Sequence, residues 1–336
     1  MSRLQQLDSL PEGLLSASPK TLHTILAKPS LIHLQGQRAE PLFVSLLLHG
    51  NEPTGFLALQ LLLQKFHDTP LPRSLSIFIG NISAARHGLR RLEHQPDYNR
   101  VWPGTDLPEC EETLMMQEVV DVMKKRRVFA SIDLHNNTGL NPHYACINKL
   151  NNRFLQLASL FGRLIVYFTH PKGVQSGAFA EICPAVTLEC GRPGQHYGVE
   201  HAFDYLNSCI HLPEISELAV PDRNIDVYHT VAQVKTREDI SFSFDRPDCD
   251  LLLDKELEKM NFTEIAAGTM LGKVNHNHMM PVVARNEDGN IVTDNFFQIN
   301  HNELQLKRRT MPSMLTLNER VIKQDCLCYL MERMTL

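Results

Sequence analysis

"LLLHGNEPTG", residues 46–55, drives an apolar run into a histidine, a glycine and an acid–proline pair. Upstream, "PLFVSLLLHG" (41–50) reads as a buried strand; downstream, Phe56 to Phe66 carries apolar residues along a short helix. The polar cluster therefore stands where a strand stops and a helix starts, with Pro53 suited to the first helical position. It is either a boundary alone or also half of a metal site.

Outward from this stretch, strand-like and helical runs alternate. "LSIFIGN" (75–81), "VFASIDLHN" (128–136), "LIVYF" (164–168) and "AVTLECG" (185–191) read as strands, and Met115–Arg126 and "FLQLASLFG" (154–162) as helices. Residues 1–35 read as a helical, fairly polar lead-in. Helix-period segments between apolar runs predict an α/β domain with a largely parallel sheet covered by helices on both faces. After residue 225 the runs shorten: "DVYHTVAQVKT", "ISFSF", "GTMLGKV", "MPVVARNEDGNIVTDNFFQI" and "MLTLNERVIKQ" are strand candidates, with a turn signal at Glu287–Asn290. The expected organisation is an α/β domain over 1–220 and a smaller, mostly β domain over 221–336.

Bulk properties narrow the function classes. The chain has 336 residues, 43% hydrophobic and 21% charged, the balance of a globular protein. Its net charge of −5 gives no electrostatic case for a nucleic-acid surface. Lys124-Lys125-Arg126-Arg127 reads as the solvated carbonyl end of a helix, where cations suit the dipole. No run approaches the roughly 20 apolar residues of a membrane span. "MSRLQQLDSLPEG" has no signal-peptide pattern. The eight cysteines show no CxxC pair and read as reduced core residues, so the cytoplasm is the expected compartment.

Four predicted strands end on polar groups: His49 with Glu52 just beyond, Asn81, Asp133 with His135, and Glu189. In open α/β sheets ligands bind outside the carboxyl ends of the strands, so these residues meet if their strands are neighbours. Two histidines and one carboxylate, with water in the fourth position, make a catalytic zinc site. A tight Gly50-Asn51 turn would let His49 and Glu52 share one ion, and His135 would complete the set. Asp133 is then a candidate to orient a metal-bound imidazole, without deciding which one. Glu189 remains as a carboxylate beside the metal, what a metallohydrolase needs as general base.

These motifs also resemble a known family. "HGNEP", "DYNRVWPG" (97–104), "DLHNNTG" (133–139) and "TLECGRPGQ" (187–195), in this order, resemble the succinylglutamate desuccinylase/aspartoacylase family, a branch of the zinc carboxypeptidase superfamily. The resemblance spans about residues 40–200, and a β-rich tail suits the family's second domain. It implies a zinc-carboxypeptidase-like mixed sheet and one zinc ion per chain, held by His49, Glu52 and His135. Glu189 would activate water and pass its proton to the leaving nitrogen. Asn99 and Arg100 would grip a substrate carboxylate, a task for which the planar guanidinium is suited. A further arginine steadies the oxyanion in the family. Arg86, Arg90 and Arg91 are available, and Arg91 lies closest to the pattern, with one extra residue of spacing. The family's aspartoacylases carry an arginine before the catalytic glutamate. "SGAFAEICPAVTLE" (176–189) has no arginine or lysine, which argues against a preference for N-acetylaspartate.

The expected function is hydrolysis of the amide bond of a small N-acyl amino acid or related amide, with no nucleic-acid or membrane partner and homo-oligomerisation left open. Alternatives are a carboxypeptidase acting on a short peptide and a metal-binding module without catalysis. A third reading starts from "NHNHMM" (275–280) with His301, faintly similar to the histidine-rich loops of metal nucleases.

Overall fold

The structure, a computed structural model, describes residues 4–275 and 279–335. It divides into two compact units, Met1–Asn136 with His143–Asp226, and Asn137–Pro142 with Val227–Leu336.

The first unit carries strands β1 (Gln5–Leu7), β2 (Ser30–Leu34), β3 (Gly36–Leu46), β4 (Leu71–Ile79), β5 (Ala130–His135), β6 (Tyr144–Ile147), β7 (Leu164–Tyr167) and β8 (Ala185–Glu189). Its helices are α1 (Thr54–Lys65), α2 (Ile82–His87), α3 (Glu111–Lys125), α4 (Asn152–Ser159), α5 (Gln175–Phe179) and α6 (His196–His211). The strands lie in the order β1-β2-β4-β3-β5-β8-β6-β7. The central β4, β3, β5 and β8 are parallel, whereas β2 runs antiparallel to β4 and β6 to β8, so the sheet is mixed.

The two faces of this sheet differ in chemistry. Side chains alternate along a strand. Leu42, Val44 and Leu46 of β3, Ile132 and Leu134 of β5, and Val186 and Leu188 of β8 are almost wholly buried. Burial of each such side chain contributes about 1.5–3 kcal/mol. The alternate positions carry Ser45, Ser131, Asp133, His135, Thr187 and Glu189, also buried. Helix α5 covers this polar side: Gln175 Nε2 donates to Ser131 Oγ at 2.7 Å, and the Thr187 and Ser176 hydroxyls meet at 2.9 Å. A sheet covered on both faces would ordinarily be apolar on both. Here one face holds a network of hydrogen-bonded polar groups, and the site forms at its carboxyl end.

The lead-in departs from the helical expectation. Residues 5–34 form β1, two short 3-10 turns (Leu14–Ser16 and Pro19–Thr24) and β2. Ser18 caps the second turn, and the apolar "SLIHL" run is buried as a sheet strand rather than as a helix face.

The second unit is β-rich. Strand β9 (Asp226–Thr236) pairs antiparallel with β13 (Val282–Arg285) and β17 (Cys328–Arg333), and β17 with β16 (Met311–Ser313). A second sheet has the order β10 (Phe242–Ser243), β11 (Leu251–Leu253), β12 (Met270–Val274), β15 (Glu303–Leu306) and β14 (Phe297–Asn300). Its core gathers Val234, Leu251, Leu271, Leu304 and Leu330. The expected turn at 287–290 is present, with Gly289 N–H donating to Asn286 O at 3.0 Å. "MLTLNERVIKQ" is not a strand: Asn318 caps helix α8 (Glu319–Gln324), and short helix α7 (Thr293–Phe296) lies between β13 and β14. No helix among the described residues is long and apolar enough to cross a membrane.

Candidate active site

Strand β3 ends at Leu46, and Leu47 takes a left-handed φ of 53°. That conformation costs a β-carbon-bearing residue roughly 1–2 kcal/mol. It turns the chain out of the sheet two residues before His49. Glu52 N–H donates to His49 O at 3.2 Å, closing the turn over Gly50 and Asn51. The turn lies hard against α2, where a β-carbon on Gly50 would come within 2.1 Å of Ala85 N. Pro53 stands at the N-cap of α1 and Glu52 faces back toward His49.

Strand β5 delivers His135 beside this turn. One ligand atom each from His49, Glu52 and His135 lie within 4.8 Å of one another, all three residues being buried. Glu52 spans the two rings: Oε1 is 2.9 Å from His49 Nδ1 and Oε2 is 2.8 Å from His135 Nδ1. Asn136 N–H also donates to Glu52 Oε2, at 3.1 Å. On their far sides both rings meet a second carboxylate. His49 Nε2 is 2.9 Å from Asp97 Oδ1, and His135 Nε2 is 2.7 Å from Asp133 Oδ2. Asp133 accepts in turn from Ser45 Oγ, and Asp97 from Arg90 through Nε at 3.2 Å and Nη2 at 3.0 Å.

The electrostatics follow from three carboxylates around two imidazoles. Burial and Arg90 pull the His49 ring down, but Glu52 and Asp97 outweigh them and raise its pKa. Burial likewise disfavours charge on His135, yet Asp133 and Glu52 lift it well above the ordinary imidazole value. Burial also opposes ionisation of Glu52 and Asp97, and the facing cations hold both carboxyls well below the usual range. The cluster thus calls for positive charge between the rings. Two Nδ1 atoms and a carboxylate, with an aspartate oxygen within hydrogen-bond distance of each Nε2, form a donor set that suits a divalent ion such as zinc.

Glu189 ends β8 in register with His135 on β5, and is buried. Asn99 Nδ2 lies 3.3 Å from His135 Nε2, and its Oδ1 accepts from Gln175 N–H at 2.9 Å, which orients the amide. Arg100 donates through Nη1 to Asn99 O at 2.8 Å. Arg91 Nη1 donates to Gln95 O at 2.8 Å, while Arg90 Nη1 stands 3.8 Å from Glu52 Oε1. The reason is the backbone. Arg90 O accepts from Gly50 N–H, so Arg90 is the residue pinned to the ligand turn. Asn81 is structural, its Oδ1 accepting from Ala84 N–H at 3.1 Å as the cap of α2. Of the histidine-rich stretch, His276 and His278 lie outside the described residues. His301 and Asn302 take left-handed angles of 49° and 63° in the β14–β15 turn.

Two contributors were not foreseen: Asp97, and Asn136, whose Oδ1 accepts from Thr54 N–H and whose Nδ2 donates to Gly191 O at 2.7 Å. A signal did exist in "SIDLH" (131–135) and "VTLE" (186–189), where polar and apolar residues alternate within strands expected to be buried on both sides. For Asp97, which comes from a loop, no periodicity marks the role.

Residues 41–202 match the profile of the succinylglutamate desuccinylase/aspartoacylase catalytic domain. The fold is similar to that of succinylglutamate desuccinylase from Chromobacterium violaceum, with TM-score 0.58, 17% identity, and 89% of this chain and 86% of that one covered. It is similar to murine aminoacylase 3, with TM-score 0.57, 15% identity, and 89% and 96% covered. A succinylglutamate desuccinylase/aspartoacylase from Rhodobacter sphaeroides gives TM-score 0.57 at 14% identity, with 91% and 89% covered. No curated protein matches the chain by sequence.

Proposed function

Residues 41–202 belong to the succinylglutamate desuccinylase/aspartoacylase family of amide-hydrolysing deacylases, and from that premise we propose that this protein is a zinc-dependent hydrolase of a small N-acyl amino acid or similar carboxylate-bearing amide. One observation carries the reading: both Nδ1 atoms face the Glu52 carboxylate while both Nε2 atoms are held by aspartates. His49, Glu52 and His135 would hold the ion. When bound, zinc lowers the pKa of a water to about 7 and polarises a carbonyl.

The chain's own residues do the rest. Glu189 takes the proton of the attacking water and returns it to the leaving nitrogen. Arg100, with the Asn99 amide, binds the substrate carboxylate and sets its register. Arg90, beside Glu52, stabilises negative charge developing on the scissile carbonyl oxygen. The cation-free stretch 176–189 turns Phe179 onto Phe43, ring centroids 4.4 Å apart, and edge-on to Trp102. The absence of any arginine or lysine from residues 176–189 supports a substrate other than N-acetylaspartate.

The test is turnover of acetyl, succinyl and formyl amino acids, with metal content measured in parallel. Activity is expected to vanish on chelation and return with zinc. Glu189→Gln should keep the metal and lose turnover by about 10²–10⁴-fold. Full turnover in that variant or after chelation refutes the mechanism, and metal uptake with no turnover of any substrate leaves a non-catalytic binding module.

A further inference from the structure

A cleft of about 440 Å³ opens in the first unit between α3, α5 and the 169–174 loop, and none of its lining residues belongs to the histidine–carboxylate cluster. The volume lies within the roughly 300–1,000 Å³ of small-molecule sites. Its α3 wall presents Gln117, Val120, Asp121 and Lys124, a spacing that puts all four on one helix face. Lys124 has no ion-pair partner among the described residues. Asn148 also lines the cleft, its Nδ2 donating to Phe168 O at 3.0 Å. Glu181 also lines the cleft and pairs with Lys149 at 3.2 Å. Val120, Val174, Ala178 and Ile182 supply apolar surface between the charged groups.

Walls with an unpaired cation at Lys124, carboxylates at Asp121 and Glu181, and an aliphatic strip complement a small zwitterion. We propose that this cleft binds an L-α-amino acid with an aliphatic side chain. Its carboxylate meets Lys124, its ammonium meets Glu181, and its side chain lies on Val120, Val174 and Ile182. The choice of ligand rests on the hydrolase reading, since amide hydrolysis of an N-acyl amino acid releases such a molecule. The segment between cleft and active site is shared. Gly173 takes φ of 74°, packs on the Arg100 carbonyl and accepts from Trp102 N–H at 3.1 Å, and Gln175 N–H holds Asn99.

Calorimetric titration of L-leucine into the full-length Glu189→Gln protein tests this without any dependence on turnover, so an inactive substrate panel leaves its result readable. One molecule per chain is expected to bind. Lys124→Glu removes the carboxylate partner and Gln117→Trp fills the space; each should weaken binding at least tenfold, while Lys124→Arg should retain it. Both positions are exposed on α3, and circular dichroism checks the fold. Arg100→Ala should leave binding within twofold. Absence of binding, or binding lost in Arg100→Ala and kept in the two cleft variants, overturns the proposal, the latter because leucine would then occupy the active site.

Discussion

The two candidate imidazole ligands are supported in opposite ways. His135 is oriented by Asp133, two residues earlier on its own strand, with a fully buried carboxylate anchored by Ser45 on the neighbouring strand. His49 sits on a turn and is oriented by Asp97, 48 residues away on a loop, with Arg90 holding that aspartate. The first support is built into a strand whose register the whole sheet enforces. The second depends on a loop staying docked. A stiff ligand and a turn-borne ligand share one carboxylate, Glu52.

Breaking that shared carboxylate should have the largest effect. Glu52→Ala leaves both rings facing each other without their common partner. It is expected to lower metal affinity by at least about 100-fold, beyond the 10–100-fold typical of orienting residues. Metal titration against a competing chelator measures it, and near-normal affinity would remove Glu52 from the ligand set. Next come the supports themselves. Asp133→Ala and Asp97→Ala should each cost about 10–100-fold in metal affinity. Asp133→Ala should also destabilise the apo-protein more, by about 3–5 kcal/mol, because it strips a buried partner from His135. Asp97, with its side chain 14% exposed, leaves water able to substitute. Equal losses of stability in urea melts would show that strand and loop supports are equivalent.

A smaller effect separates the adjacent arginines. Arg90→Ala is expected to lower kcat/KM about 10–100-fold, while Arg91→Ala stays within about threefold, because only Arg90 touches Asp97. The reverse order would return the oxyanion role to Arg91.

The mildest effect concerns a third buried histidine. His33 on β2 meets Ser76 Oγ at 2.9 Å, and among the described residues no carboxylate bonds to it. Burial, and then Arg126, push its pKa from 6.5 down to about 4, opposite to the carboxylate-flanked rings. A histidine held neutral in the fold takes up its proton more readily when unfolded. Stability should therefore fall as pH drops from about 6.5 to about 4 and be unaffected by this group above that window. Urea melts of His33→Gln should show a shallower decline over the same range, and an identical decline would clear His33.

Much of this architecture was legible in the chain. Alternating strand and helix periods indicate the α/β class, and "HGNEP", "DLHNN" and "TLECG" put chemistry-bearing residues at strand ends. The lead-in was misread because "SLIHL" is too short for its period to distinguish strand from helix. In the second unit β11, β15, β16 and β17 lie outside the expected strands; each is six residues or fewer.

The sequence by itself determined what depends on neighbours in the chain: the His49–Glu52 turn, the two-residue spacing of Asp133 and His135, and the strand carrying Glu189. Strand alternation and turn geometry act over a few residues, so spacing reports them. Only the tertiary structure decided that Asp133 serves His135 while Asp97 serves His49, that Arg90 rather than Arg91 reaches the cluster, and that Gln175 orients Asn99. Asp133 shares a strand with His135, but Asp97, Arg90 and Gln175 come from loops and helices many residues distant. Their meeting is set by which strands are adjacent and how α2 and α5 pack on the sheet, and no local period encodes that.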